Sequence, residues 1–195
     1  PAKDPDYHQR LNQAQFAVGV ETGFIRLDTG EFADEAVRRA FYTAKLERRP
    51  IMLSAPMDVQ QEKWEDDEPY RPSATLKPNR GVAMDTAALE QAADIIAKSK
   101  KPVIIVGRGA IWSGAGDAVL KLGERIGGLI GTSLRAKTWL ADKTEYHAGV
   151  SGLYAQRAAM ELFHDADCVI GVGASLNRHT TEHGYLYPNA KYVQL

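Results

Sequence analysis

Gly107 and Gly109, and again Gly171 and Gly173, close short apolar runs, Pro102-Val103-Ile104-Ile105-Val106 in one case and Cys168-Val169-Ile170 in the other. Such runs are short and β-branched enough to read as buried strands, and glycine at a strand end permits a sharp turn that brings main-chain N–H groups close to a ligand. Phosphate or nucleotide contact is the chemistry these turns support; chain geometry alone is the competing reason for the same glycines. Neither turn completes the dinucleotide pattern G-x-G-x-x-G, because Trp112 and Leu176 stand at the third position. Arg108 and Arg178 lie just past the strand ends, where a guanidinium can grip a phosphate or carboxylate with two N–H groups or merely pair at the surface.

A second constellation is His179-Thr180-Thr181-Glu182-His183, which fits H-x-x-E-H, a zinc-peptidase spacing when a helix holds both imidazoles on one face. Gly184 and Pro188 leave little room for such a helix, so surface histidines are expected instead and no metal site is assigned. A nucleophile elbow is missing, since Gly149-Val150-Ser151-Gly152 has the wrong spacing for Gly-x-Ser-x-Gly.

These residues need a scaffold that alternates strands and helices. Residues 1–58 read as the C-terminal part of one α/β domain. In it Thr29 caps a helix with Phe32, Ala36, Val37, Ala40, Phe41 and Ala44 on one stripe, and Ile51–Ala55 forms a strand whose partners are expected upstream of Pro1. Residues 59–80, charged and then proline-rich, read as a linker that does not fold back into a core. Residues 81–195 read as a second α/β domain, cut at its C-terminus. Asp85 caps a helix with Leu89, Ala92, Ala93 and Ile96 inward, and the strand from Pro102 follows. Ser113 starts a helix that ends at Gly127-Gly128, Leu129–Ser133 is a strand, and Tyr154–Phe163 is a helix. The Cys168 strand and a last strand at Lys191–Leu195 complete the series. The expected fold class is α/β, with a doubly wound, mostly parallel, Rossmann-like sheet.

Composition narrows the function. Lys plus Arg number 24 against 25 Asp plus Glu, a net charge of −1 that gives no surplus for nucleic acid or an anionic membrane. Apolar residues make up 44% of the 195, enough for a packed core, and no run approaches the ~20 residues of a membrane span. One cysteine, Cys168, excludes an internal disulfide and suits a reducing cytoplasm, the expected location.

In order and spacing, the motifs resemble the thiamine-diphosphate-dependent decarboxylases and carboligases, in particular acetolactate-synthase-like large subunits. The resemblance rests on Ala40-Phe41, on Arg49 to Gln60, on Lys101 to Ala110, on Gly149 to Gly152, on Ala166 to Ala174 and on Tyr187 to Gln194. It implies that residues 1–58 end a pyrimidine-binding domain and that residues 81–195 are a central domain. It further implies a full-length enzyme that uses thiamine diphosphate and Mg²⁺ to decarboxylate a small, pyruvate-like 2-oxo acid and pass the acyl unit to an acceptor, as a homodimer or homotetramer. The motifs for coenzyme and Mg²⁺ are implied to lie upstream of Pro1 and downstream of Leu195, so this chain by itself is expected to be inactive.

Within the chain, the resemblance implies Gln9 as the one residue near the reaction centre, with His8 departing from the aromatic residue usual there. It implies FAD in the central domain, in a structural role, at Gly107, Arg108, Gly109, Ser133, Leu134, Gly149, Gly152, Gly173, Ser175 and Asn177. Ser175 and His179 replace arginines of the pattern, and Thr22 replaces a lysine. An empty or differently occupied crevice is therefore the alternative to FAD, and a non-catalytic nucleotide-binding or scaffold module is the alternative to an enzyme.

Overall fold

The computed structural model describes residues 11–63, 69–76, 83–140 and 143–195. Two compact units divide the chain, Pro1–Val82 and Ala83–Leu195. Gln9 and Trp64 lie outside the described residues.

The first unit begins with α1 (Gln13–Gly19), started by Asn12, whose Oδ1 accepts from the Gln15 N–H at 3.1 Å. Strand β1 (Gly23–Arg26), α2 (Ala33–Glu47), β2 (Ile51–Ser54) and α3 (Met57–Gln60) follow. β1 and β2 run parallel, with Gly23 opposite Ile51. One partner of the Ile51 strand thus lies within the chain, which corrects the expectation of partners only upstream of Pro1. β1 escapes a sequence reading because it has four residues, opens on glycine and ends on arginine, so neither length nor alternation marks it. Thr29 makes no capping bond; it precedes a 3₁₀ turn, and α2 starts after Phe32. Asp34 and Glu35 in the first turn instead complement the positive helix pole. On the expected apolar stripe Ala40 is buried, but Phe32 and Phe41 are exposed. Part of the presumed linker returns to α2: Ser73 is buried, and the Arg38 Nε donates to the Arg71 carbonyl at 2.7 Å.

In the second unit, α4 (Thr86–Ala97) leads into β3 (Pro102–Val106), α5 (Arg108–Trp112), α6 (Gly116–Ile126), β4 (Leu129–Thr132) and β5 (His147–Val150). Then come α7 (Arg157–His164), β6 (Cys168–Val172), α8 (Arg178–Thr181) and β7 (Lys191–Gln194). The sheet order is β5-β4-β3-β6-β7, with every pairing parallel. Winding proceeds outward from β3 to β5, then restarts on the other side at β6, so the topological switch lies between β3 and β6.

Strand alternation distributes the core on two faces. Val103, Ile105 and Val169 pack with Ala159 and Phe163 of α7, whereas Ile104, Val106, Cys168 and Ile170 pack with Val119 of α6 and the half-buried Ile95 and Ile96 of α4. Burial of each such aliphatic side chain stabilises by ~1.5–3 kcal/mol, so these two strands are the energetic centre of the unit. Cys168 is a packing residue, and burial pushes its thiol pKa up.

Asp85 caps α4 as expected, accepting from the Ala87 N–H at 3.1 Å, and Gly127 ends α6 in the left-handed region at φ 60°. On α4, Ile95 rather than Leu89 turns inward, and Leu89 is exposed. Ser113 ends α5 instead of starting α6; its N–H reaches the Gly109 carbonyl and its hydroxyl the Ala110 carbonyl, both at 3.0 Å. α7 begins at Arg157, three residues later than expected from Tyr154. The edge strand β5 was not expected, because glycine interrupts its four residues.

Asp167 ties the start of β6 to the turn before β3. Its carboxylate accepts from the Ser99 hydroxyl, from the Lys100 N–H at 2.7 Å and from the Lys101 N–H at 3.1 Å. Burial opposes the charge, but these donors outweigh it and hold the carboxyl below its usual range. A depressed folded-state pKa stabilises above the unfolded value of about 4 and loses that contribution as pH falls through it toward the folded value. Asp167→Ala is therefore expected to cost ~1–3 kcal/mol at neutral pH. Urea denaturation of both proteins at several pH values should show the gap closing below about pH 4.

Thr132, fully buried at the end of β4, has a hydroxyl with no hydrogen-bond partner among the described residues. Valine has nearly the same shape without the polar atom. Thr132→Val is expected to raise stability by ~1 kcal/mol, read as a higher urea midpoint at unchanged slope.

Candidate functional site

The carboxyl ends of four parallel strands form one rim of the second unit. Gly107, Arg108 and Gly109 follow β3; Ser133 and Leu134 follow β4; Gly149 lies in β5 and Gly152 just after it; Gly173, Ser175 and Asn177 follow β6. The structure thus gathers every candidate of the second unit on one edge, where open parallel sheets place ligand crevices.

Contact between the two glycine turns is direct. The Gly107 N–H donates to the Val172 carbonyl at 2.9 Å and the Gly109 N–H to the Gly173 carbonyl at 3.0 Å. A Cβ on Gly107 would lie 2.0 Å from the Gly173 oxygen, so glycine is required there by the facing backbone. Beside the turn, the Arg108 guanidinium lies 4.1 Å from the centre of the Trp112 ring, a cation–π contact at an exposed position.

On the β5 side, Gly152 adopts φ 84°, and its missing side chain lets α8 approach; a Cβ there would stand 1.9 Å from the His179 carbonyl oxygen. Asn177 caps α8, its Oδ1 accepting from the His179 N–H at 3.0 Å, and the Thr180 hydroxyl donates to the Ser175 carbonyl at 2.5 Å. Beneath this corner sits a polar cluster that sequence reading missed. The Ser151 hydroxyl donates to the Thr180 carbonyl at 2.7 Å, which leaves the Tyr187 hydroxyl as donor to Ser151 Oγ at 2.6 Å. Burial pushes the Tyr187 pKa well up, against the bond to Ser151, so the phenol stays neutral at physiological pH. Ser151 and Tyr187 are 36 positions apart, and nothing local in the sequence pairs them.

His179 and His183 do not share a helix face. α8 ends at Thr181, and Glu182 and His183 both take left-handed backbone, with φ 50° and 59°. Among the described residues, no group of three or more His, Cys, Asp or Glu side chains comes together to hold a metal ion. No described helix is long and apolar enough to cross a membrane.

Sheet order, switch point and rim define a doubly wound α/β unit of Rossmann-like class. Residues 89–195 match the family model described as the central domain of thiamine pyrophosphate enzymes, and the chain belongs to that family. It is similar to the 3D-(3,5/4)-trihydroxycyclohexane-1,2-dione hydrolase of Clostridium botulinum, with 32% identity over 147 residues, 75% of this chain and 23% of that protein. Over 172 residues it is 30% identical to the sulfoacetaldehyde acetyltransferase of Roseovarius nubinhibens, covering 83% of this chain and 26% of the relative. The probable acetolactate synthase large subunit of Methanocaldococcus jannaschii is 29% identical over 196 residues, 97% of this chain and 33% of its own length. The chain therefore spans between about a quarter and a third of these curated relatives.

Proposed function

We propose that the full-length protein is a thiamine-diphosphate- and Mg²⁺-dependent enzyme that decarboxylates a small, pyruvate-like 2-oxo acid and transfers the acyl unit to an acceptor, in the manner of acetolactate synthases. The observation that carries this reading is the family match across residues 89–195, joined to likeness with an acetolactate synthase along 97% of the chain. Bound thiamine diphosphate supplies the electron sink for decarboxylation, and the protein supplies binding and orientation. The second unit contributes a rigid parallel sheet rather than reacting groups. Gln9 is proposed to lie near the substrate through the resemblance, in a soluble cytoplasmic homodimer or homotetramer without nucleic-acid or membrane partners.

The test is an assay of the full-length protein with both cofactors against a panel of 2-oxo acids, following carbon dioxide and the acyl product. A pyruvate-like donor is expected to turn over fastest. The panel includes a cyclic 1,2-dione, because a relative is named as a hydrolase of such a compound; exclusive turnover of the dione would replace the acyl-transfer reading with carbon–carbon bond hydrolysis.

A further inference from the structure

A glycine turn that holds a diphosphate must aim its N–H groups outward and keep the space above it open. At the centre of this rim the N–H groups of Gly107, Gly109 and Gly173 all point to carbonyls of the chain, and the two turns close on each other. The Gly109 N–H is bonded to the Gly173 carbonyl at 3.0 Å, the Gly107 N–H to the Val172 carbonyl at 2.9 Å, and the Gly173 N–H to the Leu195 carbonyl at 3.0 Å. The space that the missing side chains vacate is filled by the opposite turn. A Cβ on Gly107 would stand 2.3 Å from the Ala174 Cα, and one on Gly173 would stand 2.1 Å from the Ala110 nitrogen. No ligand atom fits between backbones this close.

Asn177, Ser175 and Gly152, among the flanking candidates, also make contacts within the chain. The Asn177 side chain caps α8, the Ser175 carbonyl accepts from Thr180, and Gly152 lies under the His179 carbonyl, which also accepts from the Leu153 N–H at 3.3 Å. Gly149 alone among the candidate glycines has open space where a Cβ would project, and its φ of 83° already demands glycine for the bend of β5. Each glycine on the rim thus has a reason in the chain itself.

We propose that the two glycine turns form a clasp that locks β3 to β6, and that this rim carries no flavin-adenine dinucleotide. The inference deepens the family reading without resting on the reaction, since it concerns a stable joint in the central unit.

The experiment uses the full-length protein. It is purified, denatured, and its supernatant examined for released flavin; thermal melts are then recorded with FAD at ~1 mM, and separately with thiamine diphosphate and Mg²⁺. No flavin in the supernatant and no change of midpoint with FAD are expected. One flavin per chain, or a rise of roughly 2 °C or more with FAD, would overturn the proposal. The response to thiamine diphosphate bears only on the catalytic reading. Gly109→Ala, whose added carbon meets the Gly173 Cα at a milder 2.9 Å, keeps the test alive where a harsher variant does not fold. As a clasp residue it lowers the melting midpoint with no nucleotide added; an unchanged midpoint together with weakened FAD binding would mark a cradle instead.

Discussion

Replacement of Gly173 by alanine is expected to destabilise the second unit by on the order of 3–5 kcal/mol, because two independent costs coincide. Its φ of 56° lies in the left-handed region, where a Cβ is strained, and that Cβ would meet the Ala110 nitrogen at 2.1 Å and the Gly109 carbonyl carbon at 2.6 Å. Neither contact can be relieved by rotating a side chain, since both belong to backbone. One of the two turns must move, which breaks the Gly109 to Gly173 hydrogen bond and loosens the seam between β3 and β6. Urea denaturation followed by far-ultraviolet circular dichroism reads the effect. Gly114→Ala is the control: its φ of 73° brings a similar backbone cost, but nothing lies within 4 Å of the added carbon, so the loss should be only the ~1–3 kcal/mol of strain. Equal losses at the two positions would show that contact between the turns adds nothing.

Phe163→Ala is expected to cost ~3–5 kcal/mol by leaving a cavity under the sheet. The ring is fully buried, its centroid lies 5.6 Å from that of Tyr187, and it packs with Val103, Ile105 and Val169 across β3 and β6. Its edge also approaches Gly131, where a Cβ would stand 3.1 Å from the ring. Phe163→Leu retains most of the apolar volume and should cost appreciably less, which separates cavity formation from a general loss of α7. The denaturation midpoints of the two variants decide it, and equal losses would place the effect outside the core.

The contrast between legible and illegible parts of the fold follows from chain separation. β3 and β6 could be read because five consecutive residues in each are apolar or small, buried on both faces and closed by glycine. Asp85 and Gly127 could be read because caps are local chemistry. β1 and β5 could not, since four residues with a glycine among them carry no periodicity; pairing, not propensity, makes them strands. The rim was legible as a set of positions but not as a geometry. That the Gly109 N–H bonds to Gly173, 64 positions away by subtraction of their numbers, cannot be read from either turn alone. That H-x-x-E-H would not sit on one helix face was legible from Gly184 and Pro188; that the break takes the form of a left-handed pair at Glu182 and His183 was not.

The chain belongs to the thiamine pyrophosphate enzymes, and the activity we propose for the full-length protein is coenzyme-dependent decarboxylation with acyl transfer. Its most direct measurement is carbon dioxide release by the full-length protein after exhaustive removal of thiamine diphosphate and Mg²⁺, followed by their return singly and together. Turnover should vanish on removal and reappear only when both are restored. Release that persists without them, or none with both present on any 2-oxo acid, would contradict the proposal.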